Sequence, residues 1–338
     1  MKVRVPEYFD AFSCLAGDCP HSCCEKWEVV IDEDHARRYE TVPGPLGDRL
    51  RAALTEDEDG DLCFPLNGGR CPFLNGENLC DIHCALGAEA TSVTCQEHPR
   101  FTEDYGPFRE ITLAASCPAA NALLLGSTEP LHFLEREDGE NGEPGDEWLD
   151  WLLPLRDGML ALLADRTLPL RERLRRYLAW AFAVQDCLER MEEPFCLLGG
   201  WEPWMGPEAA KAPLFPDALR FLAGLELLEP DWPVLLRQAE TAPAVPVPEE
   251  LLERIGAYFT FRYLLKAVND GDVLGRAQLT VLAVLTVERL AAVCGLPEAL
   301  RRLSCEIEHS DGNLDALLVA FQREEALSPA RLLRALRG

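Results

Sequence analysis

From Trp148 onward, apolar residues recur at three- and four-residue steps. Trp148, Trp151, Leu152, Leu155, Met159 and Leu162 form one stripe, the spacing of an amphipathic helix. Pro154 should kink that helix or delay its start. Residues 168–191, 216–227, 249–269, 274–294, 297–307 and the last turns from Leu317 repeat the helical period. The Pro-rich stretch 242–248 separates helices without marking a domain boundary. These helices predict a bundle of about 190 residues, long enough to bury a substantial core.

The first 126 residues read differently: short elements, loops and frequent cysteines. Residues 27–31 have strand character, and Asp32 is placed to cap a helix running to about Tyr39. A second helix is expected over 46–54, followed by a solvated acidic run at 56–61. Residues 62–66 and 70–74 look like two strands around Asn67-Gly-Gly69, with Pro65 and Pro72 confining them to an edge. Residues 109–114 suggest another strand, and Pro118 suits the first turn of a helix ending near Leu125. Residues 135–147 carry seven acidic residues and three glycines, as an exposed linker would. The fold class expected is mostly α. A cysteine-rich module with short strands (1–126) and an acidic linker (127–147) precede a helical domain (148–338).

Composition narrows the chemistry. The N-terminus lacks the apolar core of a secretory signal, and no run reaches the ~18 apolar residues of a membrane span. A soluble, cytoplasmic protein is expected, where thiols stay reduced. The net charge of −26 argues against nucleic acid, whose phosphates favour Lys and Arg. Ten of the fourteen cysteines lie between Cys14 and Cys117: Cys14, Cys19, Cys23, Cys24, Cys63, Cys71, Cys80, Cys84, Cys95 and Cys117. In a short polar module with little apolar core, that density favours metal or iron–sulfur ligation over disulfides or packing. No Cys-x2-Cys pair of a structural zinc site occurs, and the Cys-x3-Cys-x2-Cys of radical enzymes is absent. The adjacent Cys23 and Cys24 can serve one cluster only by binding different irons. His21 and His83, though inside the pattern, read as structural, and Cys187, Cys196, Cys294 and Cys305 read as small buried hydrophobes.

Several strings carry a resemblance. Phe12-Ser-Cys-Leu-Ala-Gly-Asp-Cys-Pro-His-Ser-Cys-Cys-Glu-Lys-Trp27, Gly69-Arg-Cys-Pro-Phe-Leu74, Leu79-Cys-Asp-Ile-His83, Thr94-Cys95, His98-Pro-Arg100 and Ser116-Cys-Pro118 are similar to the bacterial flagellin lysine-N-methylase family. So is Phe261-Arg-Tyr-Leu-Leu-Lys-Ala-Val-Asn-Asp-Gly-Asp272, which extends the likeness into the C-terminal half. His98 stands where the family more often carries an aromatic.

The resemblance implies ligands at Cys14, Cys19, Cys23, Cys24, Cys71, Cys80, Cys95 and Cys117, leaving Cys63 and Cys84 outside. It implies a [4Fe–4S] cluster and transfer of a methyl group from S-adenosylmethionine to lysine ε-amines of flagellin. Eight thiols exceed the four that one cluster needs, and the surplus can bind a second metal, take part in chemistry or only pack. Two other readings stay open at this point. One is a zinc- or iron-binding module that recognises another protein, and the other is an iron–sulfur redox protein.

No Gly-x-Gly-x-x-Gly follows a strand, so a doubly wound methyltransferase is not expected. A cofactor pocket would then lie between module and bundle. The lysine must shed a proton before it attacks. Catalytic residues are not identified by the sequence. Asp270 and Asp272 are the best carboxylates to meet a cationic amine, although a helix-ending turn at Gly271 explains them more simply.

Overall fold

In the computed structural model, which describes residues 1–25, 29–57, 60–192, 194–197 and 217–337, the chain starts as a strand. Strand β1 (Lys2–Pro6) buries Val3 and Val5 and leaves Lys2 exposed, the period of two of a half-buried strand. Strands β2 (Val29–Val30), β3 (Thr55–Glu56) and β4 (Leu62–Phe64) form a small antiparallel sheet ordered β2-β4-β3. Strands β5 (Arg100–Asp104), β6 (Phe108–Leu113) and β7 (Phe133–Glu137) join β1 in a second sheet ordered β5-β6-β1-β7. Here β1 runs parallel to β6 and antiparallel to β7, with Lys2 opposite Glu137 and Pro6 opposite Phe133.

Helices α1 (Glu33–Thr41) and α2 (Gly44–Ala53) lie by the smaller sheet, α3 (Asp81–Leu86) and α4 (Val93–Glu97) are short, and α5 (Pro118–Leu124) follows β6. The C-terminal part contains α6 (Leu149–Ala164), α7 (Leu170–Glu189), α8 (Asp217–Leu222), α9 (Trp232–Thr241), α10 (Glu249–Tyr263), α11 (Val273–Cys294), α12 (Leu296–Glu308), α13 (Asp311–Arg323) and α14 (Pro329–Ala335). Helix α11 is the axis, enclosed by α7, α9, α10, α12, α13 and α14. Its residues are buried without a break from 275 to 287, which is why it is apolar all round instead of striped. It is also the only described helix long and apolar enough to cross a membrane, and most of that stretch is buried inside the fold.

Two hydrophobic cores result. The larger unites Tyr8, Phe108, Leu113, Leu124 and Leu131 with the bundle, through partners such as Leu152, Tyr258, Leu282 and Leu300. The smaller gathers Val29, Ile31, Tyr39, Leu50, Phe64, Cys71, Phe73, Ile82 and Ala90. The β5-β6-β1-β7 sheet thus belongs to the bundle's core, while β2–β4 and α1–α3 keep their own.

The mostly α architecture agrees with the periodicity, and four local expectations change. Residues 70–74 are not a strand: Arg70 makes single bridges to Glu25 and Asn67, and Pro72 has no N–H to extend them. Gly68 and Gly69 do adopt positive φ, +59° and +81°, as the turn demands. The acidic stretch at 135–147 is not wholly free, because Phe133–Glu137 is the strand that completes β1's pairing. Beyond it, the Glu143 amide donates to the Gly106 carbonyl at 2.9 Å. Pro154 sits inside α6, which starts at Leu149 regardless. Helix α9 was not legible from the period. Residues 26–28, part of the expected first strand, and the expected helix start at Pro216 lie outside the described residues.

Candidate metal centre

Local hydrogen bonds fix each cysteine-bearing turn. The Ala16 amide donates to Cys14 Sγ at 3.3 Å, and the Cys19 thiol donates to the His21 carbonyl at 3.2 Å. The Cys24 amide donates to Ser22 Oγ at 3.2 Å, while the Cys24 carbonyl accepts from the Cys71 amide at 2.8 Å. That second bond sets Cys24 beside Cys71. Asn75 Oδ1 accepts from the Glu77 and Leu79 amides, and the Asp81 amide returns to the Phe73 carbonyl at 2.8 Å. This loop carries both Cys71 and Cys80. Arg49 of α2 clamps it from outside, donating to Asp81 at 2.8 Å and to the Pro72 carbonyl at 3.0 Å.

Cys95 is placed by two caps. Ser92 Oγ accepts from the Cys95 amide at 3.3 Å, and Asp32 accepts from His35 N at the start of α1 and from Val93 N at the start of α4. Cys117 is placed from the bundle. The Ala115 amide donates to Tyr258 Oη at 3.3 Å, Ser116 Oγ lies 2.7 Å from His309 Nε2, and Asn121 donates to the carbonyls of Ala115 and Pro297.

All thirteen described cysteines are free, so the oxidised alternative finds no disulfide among the described residues. The eight thiols singled out by sequence act on one another. Burial raises Cys71 to about 12, with added repulsion from Cys24, Cys80 and Cys95. Burial likewise raises Cys95 to about 11, opposed by the Ser92 hydroxyl and reinforced by Cys24 and Cys80. Cys80 is raised by burial, against backbone N–H groups of His83 and Ile82 aimed at its sulfur, with Cys24 and Cys84 adding to the rise. Cys117 is raised by burial, against the amides of Ala120 and Ala119, and feels Cys19 and Cys14. Cys19 is raised by burial and feels Cys14 and Cys24. Cys23 donates a hydrogen bond to Cys24, which is thereby lowered to about 7 while Cys23 rises. Crowded thiols that repel as anions release protons when a cation sits among them.

Thiolates are soft donors, the chemistry that iron–sulfur clusters and zinc take. Backbone N–H groups are directed at the sulfurs of Cys14, Cys71, Cys80 and Cys117. Among the described residues, no three His, Cys, Asp or Glu side chains are gathered as ligands of a single ion.

The other cysteines lie elsewhere. Cys63 is buried in β4 with its sulfur 3.9 Å from Thr55 Oγ1, and Cys84 is exposed on α3 at the margin of Cys80. Cys294 donates to the Leu290 carbonyl on α11, Cys305 is buried on α12, and Cys187 is half-buried on α7. The side chain of Cys196 lies outside the described residues. His21 approaches Glu298 of α12 at 3.6 Å, and His83 is exposed. Arg100, five residues after Cys95, spreads its guanidinium over the rings of Phe9 and Phe12.

Next to Cys117 lies a polar network that the sequence did not reveal. Glu308, fully buried, accepts from Arg262 Nε at 2.7 Å, from Tyr258 Oη at 3.0 Å, from Tyr263 Oη at 3.2 Å and from the Ser304 hydroxyl. The Arg262 guanidinium covers the Phe101 ring at 3.4 Å and reaches Thr112 Oγ1 at 3.3 Å, tying α10 to β5 and β6. His309 stacks near Phe101 and His98, with ring centres 5.5 and 6.1 Å away. Burial lowers His98 to about 4, helped by His309, and lowers His309 to about 4, helped by Arg262. The signal was Phe261-Arg-Tyr263 with Glu308, but nothing in a single sequence pairs residues 46 positions apart.

Asp270 and Asp272 are both engaged at the start of α11. Asp272 caps α11 by accepting from the Gly275 amide at 2.8 Å, and Arg276 donates to Asp270 at 2.7 Å and approaches Asp272 at 3.4 Å. Gly271, at φ +75°, makes the turn between them, so the simpler explanation holds.

Comparison with known proteins bears out the resemblance to lysine-N-methylases. The chain is 26% identical over 140 residues to a lysine-N-methylase of Salmonella typhimurium, covering 40% of this chain and 35% of that protein. A lysine-N-methylase of Salmonella choleraesuis matches at the same level. The flagellar biosynthetic protein FliU of Salmonella muenchen is 26% identical over 141 residues, 40% of this chain and 83% of that protein. The match thus spans about a third of the length of the two lysine-N-methylases. No family model and no solved structure matches the chain.

Proposed function

We propose that this protein is a protein-lysine N-methyltransferase of the cytoplasm that moves a methyl group from S-adenosylmethionine to lysine side chains of flagellin, with the help of a [4Fe–4S] cluster. The observation that carries the reading is the coincidence of two facts. The relatives are named for lysine methylation and for flagellar biosynthesis. Several cysteines of the resemblance also act on one another electrostatically, Cys24, Cys71, Cys80 and Cys95 among them, with Cys84 from outside it acting on Cys80.

In this reading the cysteine turns would hold the cluster, which would supply redox-active or Lewis-acidic iron. Burial keeps His98 and His309 neutral, and values near 4 make both rings weak proton acceptors, so they are not assigned as the base for the lysine. Ser116 holds the His309 ring at its Nε2, one residue from Cys117. The apolar void lined by Leu222, Phe259, Leu282 and Ile307 is no candidate for the methyl donor, because at about 10 Å³ it holds no more than a water.

The test is methylation itself. Anaerobically purified protein is given S-adenosylmethionine with a labelled methyl group and purified flagellin. Label on flagellin lysines that disappears in the cysteine variants supports the reading. Metal-replete protein that leaves flagellin, and a panel of other lysine-rich proteins, unlabelled overturns it in favour of a metal-binding interaction module.

A further inference from the structure

We infer that the protein substrate docks on the free edge of β7, where an extended, lysine-bearing segment of it adds to the four-stranded sheet as a further strand. Such docking rests on the reading above that the substrate is a lysine-bearing protein, and it is separate from the chemistry done on that lysine.

Backbone parity decides which groups of β7 are free. The Asp138 amide donates to the Met1 carbonyl at 3.0 Å, and the Glu7 amide donates to the His132 carbonyl at 2.9 Å. Both bonds keep the register that sets Val3 opposite Arg136 and Val5 opposite Leu134. In an antiparallel pair, hydrogen-bonded positions alternate with positions whose N–H and C=O point the other way. Residues 132, 134, 136 and 138 therefore turn their backbone groups to β1, while Phe133, Glu135 and Glu137 aim theirs outward. β7 ends the order β5-β6-β1-β7, and no described strand lies beyond it. Leu134, Glu135, Arg136 and Glu137 are all exposed. An open edge of five residues, with neither Pro nor Gly in it, is a template for another strand.

Charge selects the occupant. Glu135 and Glu137 stand on the same face as Arg4 and Lys2, the residues opposite them. Glu135 is matched there, 2.7 Å from Lys2 and 3.2 Å from Arg4. Glu137 forms no ion pair among the described residues. A strand laid along this edge sets alternate side chains directly beside Glu135 and Glu137, so Lys or Arg fits there and Asp or Glu does not. Arg136 does not oppose this, because it lies on the other face, bound to Asp10 at 2.8 Å. Leu134, 49% exposed on that face, offers apolar contact to the residues in between. The net charge of −26 draws a basic partner from a distance. A second copy of this chain fits badly, since antiparallel self-pairing centred on β7 sets the two Glu135 side chains against each other.

The opposite edge is unlike it. The Ala114 amide on the Pro99 carbonyl and the Tyr105 amide on the Phe108 carbonyl fix the same parity for β5. Arg100, Thr102 and Asp104 therefore point their backbone groups outward. Arg100 repels a basic strand, and Asp104 is already taken by Arg109 at 2.8 Å.

The experiment follows amide hydrogen exchange of full-length protein purified without oxygen, with and without purified flagellin, and measures the affinity by calorimetry. The Glu135 and Glu137 amides should become protected by flagellin, and those of Thr102 and Asp104 should not. Glu137→Pro removes an outward N–H and no bond to β1, so circular dichroism should match the parent. Its affinity for flagellin should fall at least about tenfold, through a lost backbone bond and a ring in its way. Glu137→Lys keeps the N–H and reverses the charge, and it should weaken binding most at low salt. Thr102→Pro, the matching change on β5, should bind as the parent does. Exchange at Glu135 and Glu137 left unchanged by flagellin overturns the inference, as does parent-like affinity in both Glu137 variants. Weakened binding in Thr102→Pro alone overturns it by moving the strand to β5. Protection that grows with protein concentration in the absence of flagellin overturns it in favour of self-pairing. Methyl transfer is measured separately. Docking on β7 without transfer fails only the enzymatic reading, and transfer with the β7 amides bare fails only the docking.

Discussion

Replacing Glu308 by Gln keeps the shape of the side chain and removes its charge at the point where α10, α12 and the β5-β6-β1-β7 sheet meet. Glu308 is the acceptor for four donors: Arg262, Tyr258, Tyr263 and Ser304. After the change the Arg262 guanidinium, 5% exposed, keeps the neutral Tyr263 hydroxyl at 3.1 Å, Thr112 at 3.3 Å and the face of Phe101, but no anion. Stranding a buried charge in this way costs about 3–5 kcal/mol. A cation over an aromatic face offsets about 2 kcal/mol at most when desolvated, and that contact exists before the change as well. The glutamine amide adds donors among hydroxyls that need acceptors, with a penalty of about 1–3 kcal/mol for each group left unpaired. A net loss of about 3–5 kcal/mol is therefore expected, against a whole-fold stability of about 5–15 kcal/mol. Chemical denaturation of anaerobic protein at pH 7, followed by circular dichroism, measures it through the shift of the midpoint at unchanged slope. The double variant Arg262→Met with Glu308→Gln should recover at least half of the loss, since no charge is then stranded. A Glu308→Gln protein within about 1 kcal/mol of the parent, or a double variant no better than the single, would show that the network is not what binds α10 and α12 to the sheet.

Three further outcomes are expected. His98 and His309 titrate near 4 in the fold and near 6.5 when unfolded, so the unfolded chain binds more protons between those values. Stability should then fall as pH drops from about 6.5 to 4, by up to about 3 kcal/mol for each ring, and His98→Gln with His309→Gln should flatten that slope in pH-dependent melts. Asp272→Ala should cost about 1 kcal/mol through loss of the α11 cap yet leave methylation per folded molecule unchanged; a selective loss of methylation would return Asp272 to the substrate site. Asn121→Ala should cost about 1–3 kcal/mol, because Asn121 is buried and holds the carbonyls of Ala115 and Pro297, and it should loosen metal at Cys117 more than at Cys71.

Much of this was legible in the chain because local rules act over few residues. Asp32 caps α1, Pro118 opens α5, and the period of apolar residues from Trp148 marks α6, α7 and α10 to α12. The cysteine set came from the resemblance alone. What stayed hidden depends on long-range pairing. Nothing near Lys2 says that β1 will run beside Phe108 and face Phe133, and the charges at 135–147 masked the strand at their edge. The placement of the thiols was hidden for the same reason. Cys71 reaches Cys24 by a backbone bond across 47 positions, and Cys117 is positioned by Tyr258 and His309, far along the chain. Helix α9 escaped because Pro233 and the short apolar repeat around Trp232 resemble a turn until the bundle buries them.

The placement of β1 between β6 and β7 bears on how this chain can be synthesised and cut. A strand made first cannot find either neighbour until more than a hundred residues have left the ribosome, so closure of that sheet is a late event in translation. A fragment ending at residue 126 retains β6 but lacks β7, and one flank of β1 then stands bare, inviting association with another copy. The cysteine-bearing third, shipped alone, should come out of expression as aggregate.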